Sequence, residues 1–188
     1  MENNVLFIYL TIWFWLLMSL YWAIKAKASS QTSFSFEITS LVKMITSFLI
    51  IYLPLLTGGW FAKELYASNI WTNIMGATFC GLGIGFAIWA RNVLGGCWSG
   101  KVTIQKEHKL IKEGPYSVVR HPQYTGFLLA LFGTALMLGK IFSFVWYLFL
   151  IVSLIAKAKQ EEKILAKIFP NEYLEYKQKV KMIIPYVY

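Results

Sequence analysis

The sequence predicts an all-α polytopic membrane protein with five transmembrane helices, the last two a tight helical hairpin, followed by a C-terminal cytoplasmic helical segment. Three observations lead there. Of the 188 residues, 57% are hydrophobic and only 14% are charged, against about 25% charged in a soluble domain. The apolar side chains fall into five runs, and Lys and Arg concentrate in alternate connections between them. The 8 Trp and 11 Tyr are ring types that settle at membrane interfaces, one end apolar and the other able to hydrogen-bond to water. The net charge is +9 and all nine acidic residues are glutamates. This composition excludes a disordered polar chain, and no soluble basic face is present for nucleic acid.

Residues Val5 to Ile24 form the first run, 20 residues long or about 30 Å of helix, one hydrocarbon core. Glu2 precedes it and Lys25 and Lys27 follow it, the reverse of a signal peptide's flanks. Ala26-Lys27-Ala28 is therefore not read as a cleavage site, and the helix is expected to be retained. Leu41 to Trp60 is the second run, with Pro54 expected to kink it. The third, Ile70 to Ala90, carries Gly81, Gly83 and Gly85. That spacing is not the dinucleotide fingerprint and no strand precedes it; Gly81 and Gly85 instead form G-x-x-x-G, which lets membrane helices approach closely. Tyr124 to Gly139 and Ile141 to Ala156 are each shorter than the roughly 20 residues that span a bilayer. With only the Gly139-Lys140 turn between them, they read as an antiparallel hairpin whose helices continue beyond the apolar core, Lys140 snorkelling at the turn. Tyr173, Tyr176 and Val180 extend an amphipathic stretch that Pro185 closes. Residues 1–188 are expected to form one unit, an N-terminal helical hairpin (5–62) and a catalytic part (70–185).

The basic residues set the expected orientation. Lys25, Lys27 and Lys43 follow the first helix, and Lys63 is alone in the next connection. Six more fall from Arg91 to Gln123 and seven from Lys157 onward. The positive-inside rule then puts the N-terminus outside and the C-terminus in the cytoplasm, where the excess charge also attracts anionic lipid. Cys80 is expected mid-membrane and Cys97 in a loop, about 15 Å away at 1.5 Å per residue, so two separate thiols are expected. Neither joins His108 or His121 in a zinc pattern.

Polar residues cluster from Arg91 to Gln123 and from Lys157 to Tyr176, both on the expected cytoplasmic side. The Gly114-Pro115 turn and Pro122 at a helix start are local structural devices. Arg120 and His121 on their own read as an anchor at the foot of a membrane helix, although a guanidinium fork also suits a carboxylate. Lys157 and Glu161 lie four apart on a helix face. Their plain reading is an exposed ion pair, in the order that supports a helix less well.

Taken in order, His108-Lys109-Leu110-Ile111, Gly114-Pro115-Tyr116, Arg120-His121-Pro122-Gln123-Tyr124, Glu161-Glu162 and Phe169 through Glu172-Tyr173-Leu174-Glu175-Tyr176 resemble the isoprenylcysteine carboxyl methyltransferase family, related to the phospholipid N-methyltransferases. The likeness covers roughly Arg91 to Pro185. The first two helices carry no signature.

The resemblance implies an integral membrane enzyme that transfers a methyl group from S-adenosyl-L-methionine. By similarity, His108, Lys109, Leu110, Ile111, Tyr116, Arg120, His121, Pro122, Gln123 and Glu161 contact the cofactor, with either Thr103 or Gln105 upstream. Lys157 stands where the family usually has an arginine associated with the substrate carboxylate, and it lacks the bidentate fork. The substrate implied is a lipophilic prenylcysteine or lipid entering from the bilayer, with no metal and no catalytic acid or base. A carboxylate with a reference pKa near 3.5 is already ionised at neutral pH, so placement is the enzyme's main task, and can supply on the order of 7 to 11 kcal/mol. A phosphatidylethanolamine amine would instead need His121, His108 or Glu161 as base. A sterol-type reductase binding NADPH and a non-enzymatic scaffold are the other readings.

Overall fold

In a computed structural model that describes residues 2–28, 34–95 and 110–185, each of the five apolar runs forms a helix, the second ending at Leu56, short of the expected Trp60. The helices are α1 (Glu2–Ala28), α2 (Phe34–Leu56), α3 (Ile70–Leu94), α4 (Pro122–Leu138), α5 (Ile141–Ile168) and α6 (Pro170–Lys179), with one 3-10 turn at Gly114–Ser117. Among the described residues the only extended pairings are two isolated bridges. Three helices, α1, α3 and α5, are long and apolar enough to cross a membrane. The apolar part of α2 (Ile45–Leu56) and the whole of α4 are shorter, so length and composition mark three of the five expected spans.

Local chemistry sets the boundaries. Asn69 caps α3, its side chain accepting from the amides of Trp71 and Thr72 at 2.9 and 3.1 Å while Thr72 Oγ1 accepts from the Asn69 amide, a reciprocal capping box. α3 continues to Leu94, beyond the expected end at Ala90. Pro122 opens α4 at its first turn, where no amide is needed. Gly139 closes it in the left-handed region at φ 63°, and a Cβ there would lie 2.8 Å from the Tyr66 carbonyl. α5 runs unbroken for 28 residues, so the expected extension beyond Ala156 holds. Pro170 cannot continue it and starts α6 instead. Pro54 lies buried inside α2, near its end.

The close helix pair is α3 with α4, and its glycines are not the expected G-x-x-x-G. A Cβ on Gly83 would come within 2.5 Å of the Gly126 carbonyl, and one on Gly76 within 2.6 Å of the Gly133 carbonyl. Gly76 and Gly83 on α3 therefore face Gly126 and Gly133 on α4, seven residues apart on each helix, so that backbone meets backbone. Gly81 instead meets the Phe14 ring of α1, and Gly85 faces open space. The reason is one of facing: close approach needs small residues on the side turned to the partner, and seven residues return a helix to nearly the same side.

The N-terminal helices join this pair through hydrogen bonds made in the apolar interior. The Trp15 indole donates to Thr134 at 3.1 Å, the Tyr52 hydroxyl to Thr11 at 2.6 Å, and Ser143 to the Ile51 carbonyl at 3.1 Å. Trp15 also packs edge-on against Phe127. Cys80 is a buried free thiol beside Thr134; Cys97 lies outside the described residues. At the far end, Lys140 pairs with Glu64 at 2.9 Å rather than only snorkelling. The Leu65 amide donates to the Gly139 carbonyl and the Ile141 amide to the Lys63 carbonyl, which pins the α4–α5 turn.

Gly83→Ala should destabilise the fold by about 1–3 kcal/mol through overpacking, measured by unfolding in detergent, whereas Gly85→Ala should be neutral or slightly stabilising. Equal effects would contradict the assigned interface.

Candidate functional site

The head of α4, the C-terminal half of α5, α6 and the segment that follows it converge on one polar cluster. Glu162 is at its centre. The Arg120 side chain reaches Glu162 Oε1 through Nε at 2.7 Å and Nη2 at 2.6 Å, and Lys177 reaches Oε2 at 3.0 Å. Arg120 Nη1 donates to the carbonyls of Lys177, at 3.3 Å, and Val180. The guanidinium fork expected to meet a ligand is thus engaged within the protein. Arg120 and Glu162 side chains are only 7% and 6% exposed, so their charges depend on each other.

His121 lies between both glutamates, Nδ1 3.6 Å from Glu161 Oε2 and Nε2 3.5 Å from Glu162 Oε1. At that range the contacts are electrostatic rather than good hydrogen bonds. Its ring stacks parallel on Tyr124 at 5.5 Å. Burial pushes the imidazole down, but the carboxylates of Glu161 and Glu162 together outweigh it, and His121 titrates above its ordinary 6.5.

Glu161 is the open carboxylate of the pair, with a side chain one-third exposed. Tyr124 donates to its Oε1 at 2.6 Å, and Lys157 Nζ sits 5.3 Å above the Tyr124 ring. The Lys157–Glu161 pairing expected from sequence is thus bridged by Tyr124. Gln123 Nε2 donates to the Tyr116 hydroxyl at 3.3 Å, and Tyr176 donates to the Tyr116 carbonyl at 2.6 Å. Burial pushes the Tyr116 phenol up to about 12, so it stays neutral. Leu110 is buried with Tyr173 and Tyr176, and Ile111 is half-buried beside it in sequence. Pro122 is buried at the α4 start. His108, Lys109, Thr103 and Gln105 lie outside the described residues.

Expected residues Tyr116, Arg120, His121, Gln123 and Glu161 thus gather with Lys157 at one end of the helices. Tyr124 and Glu162 belong to the motif residues, but the sequence alone assigns neither a role. The sequence does carry a signal for Glu162, since Ala158, Glu162 and Leu165 share a side of α5 that Phe169 continues just past its end, and an acid there calls for a buried cation. Among the described residues, no group of His, Cys, Asp and Glu could hold a metal ion.

Residues 71–172 match the phospholipid methyltransferase family model, more than half of the chain. The chain belongs to the phospholipid methyltransferase family. Among its relatives, protein-S-isoprenylcysteine O-methyltransferase of Saccharomyces cerevisiae is 39% identical over 101 residues, covering 52% of this chain and 42% of the yeast protein. The Arabidopsis thaliana protein-S-isoprenylcysteine O-methyltransferase B is 35% identical over 88 residues, 46% of this chain and 45% of its own. The Homo sapiens protein-S-isoprenylcysteine O-methyltransferase is 35% identical over 81 residues, 43% of this chain and 28% of its own. The matched stretch spans less than half the length of each of these relatives. In this family member the match takes in the α4 head and the Glu161-Glu162 pair. It stops at Glu172, before the segment that contacts Arg120.

A histidine held above its ordinary value stabilises the folded state most below its unfolded midpoint near 6.5, and that contribution is lost as pH rises through the folded midpoint. In histidine-labelled protein, the His121 NMR titration should have its midpoint above 6.5 and move downward in Glu161→Gln. A wild-type midpoint at or below 6.5 would contradict the two-carboxylate setting.

Proposed function

We propose that the chain is a membrane methyltransferase that uses S-adenosyl-L-methionine to O-methylate the carboxylate of an isoprenylcysteine or a similar lipophilic carboxylate, or to S-methylate a lipophilic thiol. The carrying observation is the half-open carboxylate Glu161, fixed by Tyr124 and His121 within the stretch that matches the family. The donor set fits the cofactor: a cationic sulfonium compound with polar ribose and amino-acid groups suits the one-third-exposed Glu161 carboxylate together with His121, whose buried Nε2 has no hydrogen-bond partner. Glu161, His121, Gln123 and Tyr116 would hold it, with His108 and Lys109 expected to join them. When bound, the cofactor supplies an electrophilic methyl group on sulfur.

A substrate carboxylate oxygen would form its bond to the methyl carbon as the methyl–sulfur bond breaks. The electron pair would stay on sulfur; a thiol would have to lose a proton first, whereas a carboxylate would give a methyl ester and S-adenosylhomocysteine with no proton moved. That absence matters for the choice of substrate. His121 stands between two carboxylates that favour its protonated form and Glu161 accepts from Tyr124, so neither is poised as the base an amine would need; His108, the third candidate, lies outside the described residues. Lys157, exposed on the same side of α5, offers a cation for the substrate carboxylate. The helices place these groups at the basic end of the bundle, which the positive-inside rule assigns to the cytoplasm, with the N-terminus outside. A lipid tail would arrive through the bilayer between helices.

The test is labelled-methyl transfer by purified protein to a farnesylcysteine analogue, phosphatidylethanolamine and an alkyl thiol, read by mass spectrometry. Label on the carboxylate or thiol is expected; label on the phosphatidylethanolamine headgroup alone would overturn the substrate assignment. Glu161→Ala should abolish calorimetric S-adenosylmethionine binding without unfolding the protein, and unchanged affinity would refute its role. Lys157→Ala should raise KM for the carboxylate substrate about tenfold or more with cofactor affinity intact, and Lys157→Arg should preserve activity. A loss of cofactor affinity in Lys157→Ala would place the residue elsewhere.

A further inference from the structure

The stretch after α6 has no regular secondary structure, yet it runs alongside the head of α4 like an added strand. The Arg120 amide donates to the Lys181 carbonyl at 2.8 Å and the His121 amide to the Met182 carbonyl at 3.0 Å. Thr125 Oγ1 donates to the Ile183 carbonyl at 2.7 Å, and Val119 and Lys181 form a parallel bridge. Met182 and Ile183 are buried in one cluster with Leu128 of α4 and Ala158 of α5, and Tyr124 packs against it. The two amides that open the site-bearing turn at Arg120 and His121 thus find their acceptors in this segment.

The same segment is tied to Glu162. Arg120 holds the carbonyls of Lys177 and Val180 with the guanidinium that grips Glu162, and Lys177 Nζ returns to the other Glu162 oxygen. One buried carboxylate therefore fixes both ends of the chain's return to α4.

We propose that residues 180–183, together with the last turn of α6 at Lys177, are a strap that completes the cofactor site, and that Glu162 is the positioning residue that seats it, so that His121 and Glu161 reach their working geometry only with the strap in place. The inference rests on the methyltransferase reading for the meaning of the site, but not for its geometry. Glu162 acts through Arg120 and Lys177 and touches no reacting atom. The strap also lies beyond the stretch that the family model matches, so this chain's site would be finished by residues outside the matched region.

Two measurements on the full chain in detergent, without cofactor, test it. The first is limited trypsin cleavage after Lys179 and Lys181, which the seated strap should protect. Glu162→Gln should speed cleavage about tenfold or more, Lys177→Met should speed it less, and Lys177→Arg should restore protection. The second is the His121 titration in Met182→Ser/Ile183→Ser, which alters no charge near the ring. Its midpoint should fall toward the ordinary 6.5, because a released imidazole loses its carboxylate neighbours. Far-UV circular dichroism checks that the helices persist, and Lys177→Met, which removes a half-exposed ammonium and leaves the Arg120–Glu162 pair in place, serves where Glu162→Gln does not fold. Wild-type cleavage rates in both Lys177→Met and any folded Glu162→Gln, or an unchanged His121 midpoint in the strap variant, would overturn the proposal. A protein that gives the expected cleavage and titration yet binds no S-adenosylmethionine would overturn the functional reading alone.

Discussion

Arg120 and Glu162 meet almost out of reach of water, 42 residues apart in sequence, and the site is arranged around that meeting. Removing two charges from solvent costs several kcal/mol each, and their attraction offsets this only when geometry is good and the remaining hydrogen-bonding capacity is filled. Here it is filled. Glu162 receives Arg120 on one oxygen and Lys177 on the other, with His121 close by; Arg120 spends its further donor on the carbonyls of Lys177 and Val180. The α4 head, α5, α6 and the closing segment are each held by a member of this set. A neutral residue at 162 would leave the buried guanidinium without its carboxylate, and one at 120 would leave Glu162 with only Lys177 and His121.

The helical body places those groups together at one end. Glycine-to-glycine contact lets α3 and α4 pack backbone to backbone, and hydrogen bonds inside the apolar body tie α1 to α4, α2 to α1 and α5 to α2. The α4–α5 turn is pinned at the opposite end by Glu64–Lys140 and neighbouring amides. With the hairpin fixed there, α4 and α5 run side by side to their other ends, where Tyr124 faces Glu161 and Arg120 faces Glu162. Family membership fits this division: the match begins at residue 71 and takes in the α3–α4–α5 body with Arg120, His121, Glu161 and Glu162.

Helices were legible wherever apolar residues run long, since hydrophobic length needs no partner to be recognised. The persistence of α5 past Ala156 was also legible, because Ala, Lys, Gln and Glu propagate a helix well. The packing glycines were not, because Gly81 and Gly85 satisfy a local pattern while the approach is made by Gly76 and Gly83, and only the position of α4 distinguishes the two faces. Arg120 illustrates a second limit. Its fork reads as a ligand contact in sequence, but which carboxylate takes it depends on a fold-level encounter with Glu162. The segment Val180 to Ile183 was least legible. Its role is carried by carbonyl oxygens, which every residue has, and a parallel pairing of a few residues leaves no periodicity to detect.

A double-mutant cycle on Arg120→Met and Glu162→Met, read as the unfolding free energy of the full chain in detergent, tests most directly whether this pair organises the site. Each single variant should lose on the order of 3–5 kcal/mol by stranding a buried charge, and the double variant should lose at least about 2 kcal/mol less than their sum. Losses that add to within about 0.5 kcal/mol, as for independent positions, would contradict the account.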